Sequence, residues 1–241
     1  SGHCSHGCFD LFARFPPGLC LAIGIISMNV GLSLIVGLAA GFGVKTIINW
    51  LSIDGYKVKS KSIFIEIICG FIWVWAFQNL PIDEATIFSL ISTILVGISL
   101  VDFHTFQIPF LFIIAGAGVA VASILIKLTY FSSAMWGIFV GAVIPLTIMG
   151  LTWLVTKRQG MGYGDIQLGI VLGAWLGPMR MAITLFGASL LSLSTWLAVS
   201  LVQDFDKDRA LPLAPFLAVA GIGVYIGSIY YPGFFHLLII Q

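Results

Sequence analysis

Long apolar runs are the feature that most constrains the fold of this chain. They follow one another from residue 28 to residue 231 and are separated only by short polar segments. A helix that crosses the hydrocarbon core of a bilayer needs about 20 apolar residues, because each residue adds about 1.5 Å. With 59% hydrophobic and 9% charged residues, a water-soluble fold could not hide this apolar surface. We therefore predict an all-α, polytopic integral membrane bundle of about eight transmembrane helices, with lipid around it.

Polar segments between the runs set the predicted helix boundaries. The predicted helices cover residues 28–51, 62–80, 86–101, 108–128, 133–156, 166–177, 180–203 and 212–231. The sixth run is too short to span alone, and Gly177-Pro178 would break it, so we expect a half-helix enclosed by its neighbours. Residues 28–241 are predicted to form one membrane domain. Residues 1–27 are expected to be a polar leader that need not be native, with Met28 as a candidate natural start.

Charge and cysteine content exclude several classes of function. The formal net charge of +1 gives no reason to expect a nucleic-acid partner. Cys4 and Cys8 lie beside two histidines and could bind a metal loosely, but no second ligand pair follows at zinc-finger spacing. We therefore expect no metal site and no other cofactor.

The distribution of positive charge predicts the orientation in the membrane. The odd-numbered loops carry Lys57, Lys59, Lys61, Lys157, Arg158, Lys207 and Arg209. The even-numbered loops and adjacent helix ends carry only Lys127 and Arg180. By the positive-inside rule the odd-numbered loops are cytoplasmic. Asp102 starts the third loop and Asp165 ends the fifth, so these two carboxylates are predicted on the same side and can meet.

Asp102 and Asp165 are the candidate catalytic pair. Each adjoins an apolar run, where an ionisable group is costly and is by default a functional candidate. Two carboxylates that lie close together cannot both ionise cheaply, so they share a proton. The ionised partner can then activate water while the protonated partner polarises a peptide carbonyl, as in aspartic proteases, without a metal.

The local sequence around each aspartate supports this interpretation. Gly160, Gly162 and Gly164 alternate with other residues before Asp165, and glycines allow an extended substrate to approach the backbone closely. A flexible loop with a helix N-cap aspartate is the simpler alternative. Asp102 is followed by Ile108-Pro109, and proline is suited to the first turn of the next helix.

Together these motifs resemble the type IV prepilin peptidases, the membrane aspartic peptidases of the Gly-x-Gly-Asp kind. In that family the first aspartate precedes a Leu-Pro or Ile-Pro pair, as Asp102 does here. The second lies in Gly-Met-Gly-Tyr-Gly-Asp, which residues 160–165 match in full. Glu66 and the segment 211–216, Leu-Pro-Leu-Ala-Pro-Phe, are supporting matches. The resemblance covers about residues 30–231.

The resemblance implies a prepilin or pseudopilin precursor as substrate, with a basic leader cut after a glycine at the cytoplasmic face of the inner membrane. It implies that Asp102 and Asp165 are catalytic and that Gly160, Gly162, Gly164 and Glu66 bind substrate. Glu66 could instead pair with a polar group on a neighbouring helix. The acidic loop Asp204, Asp206 and Asp208 could meet the basic leader.

Two departures and two alternatives complete the prediction. The first loop lacks the Cys-x-x-Cys pairs common in bacterial members, so neither zinc nor N-methyltransferase activity is expected, and Gln167 replaces a usual lysine. A small ion- or proton-coupled transporter could also use a carboxylate pair. Presenilin-like peptidases share Gly-x-Gly-Asp, but their first aspartate usually follows tyrosine, whereas Val101 precedes it here.

Overall fold

The computed structural model describes residues 30–52, 55–58, 63–157, 162–202 and 211–233. Within these residues it is all-helical, which confirms the predicted fold class. The helices are α1 (Val30–Leu51), α2 (Phe64–Asn79), α3 (Ile82–Thr105), α4 (Phe110–Leu125), α5 (Phe131–Thr156), α6 (Tyr163–Val202) and α7 (Ala214–Tyr230). The predictions for residues 1–27, for Gly160 and for the acidic loop of Asp204, Asp206 and Asp208 lie outside the described residues.

Four of the described helices, α1, α3, α5 and α6, are long and apolar enough to cross a membrane. The other three are shorter apolar helices. Helix α6 contains the sixth and seventh predicted runs, and its backbone breaks at Gly177, with φ 76° and ψ 174°. A side chain at this position would be strained by the positive φ and would also lie 2.5 Å from Ser133 Oγ. The predicted break at Gly177-Pro178 is therefore confirmed.

Close glycine contacts hold two helix pairs together. The contacts pair Gly37 with Gly70, Gly41 with Glu66, Gly137 with Gly173, and Gly141 with Gly169. A Cβ on Gly41 would lie 2.6 Å from the Cα of Glu66, so a larger residue would push α1 away from α2. In lipid, helices associate through such close packing because apolar side chains gain little by leaving the hydrocarbon.

Helix α3 is at the centre of the bundle and contacts α1, α2, α4 and α7. Its side chains Phe88, Ile91, Leu95 and Ile98 are almost fully buried. The helix continues to Thr105, beyond the predicted end at residue 101. It ends there because Phe106 takes the left-handed conformation, and the Phe106 N–H donates to the carbonyl of residue 102. Asp102 is therefore in the last helical turn, not in a loop.

Candidate active site

Asp102 is fixed at the end of α3 by the start of the last helix. Its residue is only 5% exposed, and Oδ2 accepts a hydrogen bond from the Ala214 backbone N–H at 3.2 Å. Ala214 begins α7, and the first N–H groups of a helix have no partner within that helix. The Asp102 carboxylate therefore accepts a hydrogen bond from one of these N–H groups. It lies at the N-terminus of α7, where the helix dipole favours negative charge.

Asp165 is held by its own loop in the first turn of α6. Its Oδ2 accepts from the Gly162 N–H at 3.2 Å, and its own N–H donates to the Gly162 carbonyl at 3.2 Å. The other carboxylate oxygen, Oδ1, is buried and has no hydrogen-bond partner among the described residues. The Gly162 N–H therefore holds Oδ2 in place, whereas Oδ1 has no hydrogen bond within the described residues.

The two carboxylates interact electrostatically, since the charge of Asp102 acts on Asp165. They come from α3 and α6, and both of these helices pack against α4 and α7. The bundle thus brings together two aspartates that are 63 positions apart in the sequence. Interacting like charges favour a state in which one of the two carboxyl groups keeps a proton, as an acid–base dyad requires.

Gly164 connects the two motifs in space. A Cβ at this position would lie 3.0 Å from the Cβ of Ile108, in the connection that follows Asp102. A Cβ on Gly162 would lie 3.2 Å from Asp165 Oδ2. The two glycines therefore allow the start of α6 to approach the connection between α3 and α4, and they leave the approach to the Asp165 carboxylate without side chains.

The described part of the α1–α2 connection lies at the same end of the bundle as Asp102. In the α1–α2 connection the Tyr56 ring stacks on His104, with centroids 4.4 Å apart, and burial raises the pKa of Tyr56. His104 Nδ1 contacts the Leu100 carbonyl at 2.9 Å. Among the described residues, the His104 ring also contacts the ring of Phe103, at a centroid distance of 5.5 Å.

Glu66 has a partner that the sequence reasoning did not identify. Its Oε1 accepts from Lys45 Nζ at 2.9 Å, and both residues are 6% exposed, between α2 and α1. Of the two roles considered for Glu66, pairing with a neighbouring helix is therefore observed. Its Oε2 is buried without a hydrogen-bond partner among the described residues. Lys45 could have been found as a lone cation within an apolar run, which is rare in membrane helices.

Ala214 is the other residue that the sequence reasoning missed. It contributes through its backbone, so its side chain carries no signal. The motif from Leu211 to Phe216 marks the start of α7, but its contact with Asp102 appears only in three dimensions. Within the described part of the chain, no group of three or more His, Cys, Asp or Glu side chains could hold a metal ion.

Comparison with known proteins agrees with this geometry. Residues 89–197, which include both aspartates, match the type IV leader peptidase family. Over this segment the chain is similar to type IV leader peptidases. The resemblance drawn from Asp102, Asp165 and their flanking motifs is thereby confirmed, and the comparisons give no support to the transporter alternative.

Several curated relatives carry the name prepilin leader peptidase/N-methyltransferase. The protein of Pseudomonas putida is 27% identical over 172 residues, which cover 68% of this chain and 58% of the relative. That of Stutzerimonas stutzeri is 34% identical over 88 residues, covering 36% and 30%. That of Dichelobacter nodosus is 34% identical over 103 residues, covering 41% and 35%. The matches thus span less than two thirds of each relative, and no solved structure matches the chain.

Proposed function

We propose that this chain is a membrane aspartic endopeptidase that removes basic leader peptides from type IV prepilin or pseudopilin precursors. The coupled pair Asp102 and Asp165 carries the proposal. Like charges repel, so stability alone does not explain why the fold brings two carboxylates together at the end of an apolar bundle. The names of the relatives support the substrate class and the type of cleavage.

In the proposed reaction the two aspartates hold one proton between them. The ionised carboxylate takes a proton from water as the water oxygen attacks the scissile carbonyl carbon, and the protonated carboxyl donates to the carbonyl oxygen. A proton then passes to the amide nitrogen, the C–N bond breaks, and the leader leaves with a new carboxylate. Because Asp165 Oδ1 has no hydrogen-bond partner in the described part of the chain, this oxygen is available for proton transfer.

Substrate positioning is assigned to the glycines before Asp165. Gly162 and Gly164 give an extended chain access to the backbone beside the dyad, and Gly160 extends this approach. Glu66 acts in this proposal through its ion pair with Lys45, which holds α1 against α2. The connection between these two helices contacts His104, two residues beyond Asp102.

We place the dyad at the cytoplasmic face of the inner membrane. Lys57 and Lys157 lie in connections at the dyad end, and positive charge favours the cytoplasmic side. A precursor could keep its apolar helix in the bilayer there while its basic leader stays in water. Asp204, Asp206 and Asp208 precede α7 in the sequence and would attract that leader.

Cleavage of a model precursor in liposomes tests the proposal. The peptide carries a basic leader, a glycine at the cut and an apolar helix, and mass spectrometry locates the products. We expect Asp102→Asn and Asp165→Asn each to lower the cleavage rate by about 10²-fold or more. Asp83→Asn, which changes an exposed aspartate in the first turn of the same helix, should keep the wild-type rate.

Two outcomes would contradict the proposal. Wild-type cleavage by either dyad variant would remove the aspartates from the reaction. An uncut peptide together with proton flux across the liposome membrane would favour the transporter instead.

A further inference from the structure

A second polar site lies at the end of the bundle opposite the dyad. Here a cavity of about 170 Å³ is bounded by the start of α3, the end of α4, α6 around its break, and α7. Its polar and aromatic lining includes Glu84, Ser123, Thr129, Trp175, Arg180 and Tyr225. Glu84 and Asp102 are 18 residues apart on one helix, which corresponds to about 27 Å at 1.5 Å per residue. This cavity is therefore separate from the proposed active site.

Two opposite charges, those of Glu84 and Arg180, face the cavity. The Glu84 carboxylate and the Arg180 guanidinium have neither a hydrogen bond nor an ion pair within the described ranges, although both residues are half-buried. Both charges act on Tyr225, and the Arg180 guanidinium carbon lies 5.6 Å from the centre of its ring. Unpaired charges are costly at the edge of an apolar bundle, so a ligand that carries both opposite charges would satisfy this site.

The wall of the cavity is already ordered. The Tyr225 ring stacks on Trp175 with centroids 4.9 Å apart, and both rings contact the buried Phe88. The break at Gly177 lies between Trp175 and Arg180, which both line the cavity. A site built on packed aromatic rings loses little conformational entropy when it binds a ligand.

Exposed aromatic residues place the cavity at the depth of lipid headgroups. Tyr130 and Phe131 are 80% and 67% exposed and follow the lining residue Thr129. Tyr230 and Tyr231 are 56% and 71% exposed and follow the lining residue Ile229. Such side chains concentrate at the interface between hydrocarbon and water. The ligand is therefore expected to come from the membrane surface.

We propose that this cavity binds the headgroup of a zwitterionic phospholipid with a primary amine, the phosphatidylethanolamine class. The phosphate would pair with Arg180 and the hydroxyl of Thr129, because charge-assisted hydrogen bonds to phosphate are the strong ones. The ammonium would pair with Glu84 beside the aromatic face of Tyr225. The volume is more than ten times the roughly 10–15 Å³ that one water requires, so a small polar group fits.

Native mass spectrometry of the purified full chain, released from detergent, tests this proposal. The protein is titrated with phosphatidylethanolamine, phosphatidylcholine and phosphatidylglycerol of identical acyl chains. We expect phosphatidylethanolamine to bind about tenfold more tightly than the other two, since only its headgroup offers both a phosphate and ammonium N–H donors. Arg180→Gln should weaken phosphatidylethanolamine and phosphatidylglycerol alike by about tenfold, and Glu84→Gln should remove the preference between them.

Neighbouring charges at the same end serve as matched controls. Lys127→Gln and Asp83→Asn change exposed residues that do not line the cavity, and both should bind as the wild type does. Arg180→Lys keeps the charge and should retain binding within a few-fold, which separates loss of the ligand from loss of the fold.

The proposal is overturned if the three lipids bind equally, or if Arg180→Gln leaves phosphatidylethanolamine binding unchanged. Free phosphoethanolamine provides the remaining arm of the experiment. It should not displace the lipid at equal concentration, and displacement would assign the cavity to a soluble zwitterion instead.

Discussion

Two pairs of charged side chains lie within the apolar helices, and they are satisfied in opposite ways. Lys45 and Glu66 carry opposite charges and pair directly at 2.9 Å. Asp102 and Asp165 carry the same charge, and each depends on a backbone N–H. An ion pair largely satisfies itself, whereas two carboxylates need a shared proton. The sign of the two charges, more than their burial, therefore separates a structural pair from a candidate reactive pair.

The largest expected effect concerns the shared proton of the aspartate pair. If Asp102 and Asp165 act as one unit, the double variant Asp102→Asn/Asp165→Asn should cleave about as slowly as either single variant, about 10²-fold or more below wild type. Its thermal unfolding temperature should not fall, because the like-charge repulsion is removed. Cleavage rates and unfolding curves measure both quantities. A double variant slowed by the product of the two single effects would show that the aspartates act independently.

Substitutions in the opposite-charge pair of Lys45 and Glu66 should change the free energy of unfolding and not the cleavage rate of the folded protein. Lys45→Met leaves the Glu66 charge buried and unpaired, which we expect to lower the free energy of unfolding by about 3–5 kcal/mol. The double variant Lys45→Met/Glu66→Met should recover most of this loss, and the folded fraction should cleave within a few-fold of wild type. Loss of cleavage at unchanged stability would place Lys45 and Glu66 in the reactive site and end the contrast.

A smaller effect on stability is expected where α6 approaches the connection between α3 and α4. Gly164→Ala would push against Ile108 and should cost about 1–3 kcal/mol of unfolding free energy. Adding Ile108→Ala should relieve part of this overpacking. Gly118→Ala is the matched control, because its Cβ would meet nothing within 4 Å and should be neutral or stabilising by about 0.5–1 kcal/mol. Equal effects at Gly164 and Gly118 would show that this contact does not position the aspartate pair.

The smallest effect tests the contact between the α1–α2 connection and the end of α3. Tyr56→Leu removes the ring that stacks on His104 and should cost about 0.5–1.5 kcal/mol, measured by thermal unfolding. Tyr56→Phe keeps the ring and should be close to neutral. A large loss in both variants would assign the contribution to the hydroxyl group and not to stacking.

Part of the site could be predicted because its signals are local. The aspartates stand out as acids beside apolar runs, and the glycines and Ile108-Pro109 are motifs within a few residues of them. The end of α3 was placed four residues too early, since the prediction stopped at the first charge. The structure continues the helix to Thr105, where Phe106 turns the chain. Glu84 lies in a polar segment between two apolar runs, and nothing in that segment indicates the cavity that it lines.

By itself, the sequence determined that the chain is a helical membrane protein, and it predicted that Asp102 and Asp165 lie at the same end of the bundle. Hydropathy and motif spacing are properties of short segments, so they can be read without a fold. Only the tertiary structure decided the partners: Ala214 for Asp102 across 112 positions, Lys45 for Glu66, and the grouping of Glu84 with Arg180. The physical reason is that a partner is chosen by helix packing, which depends on contacts between distant segments.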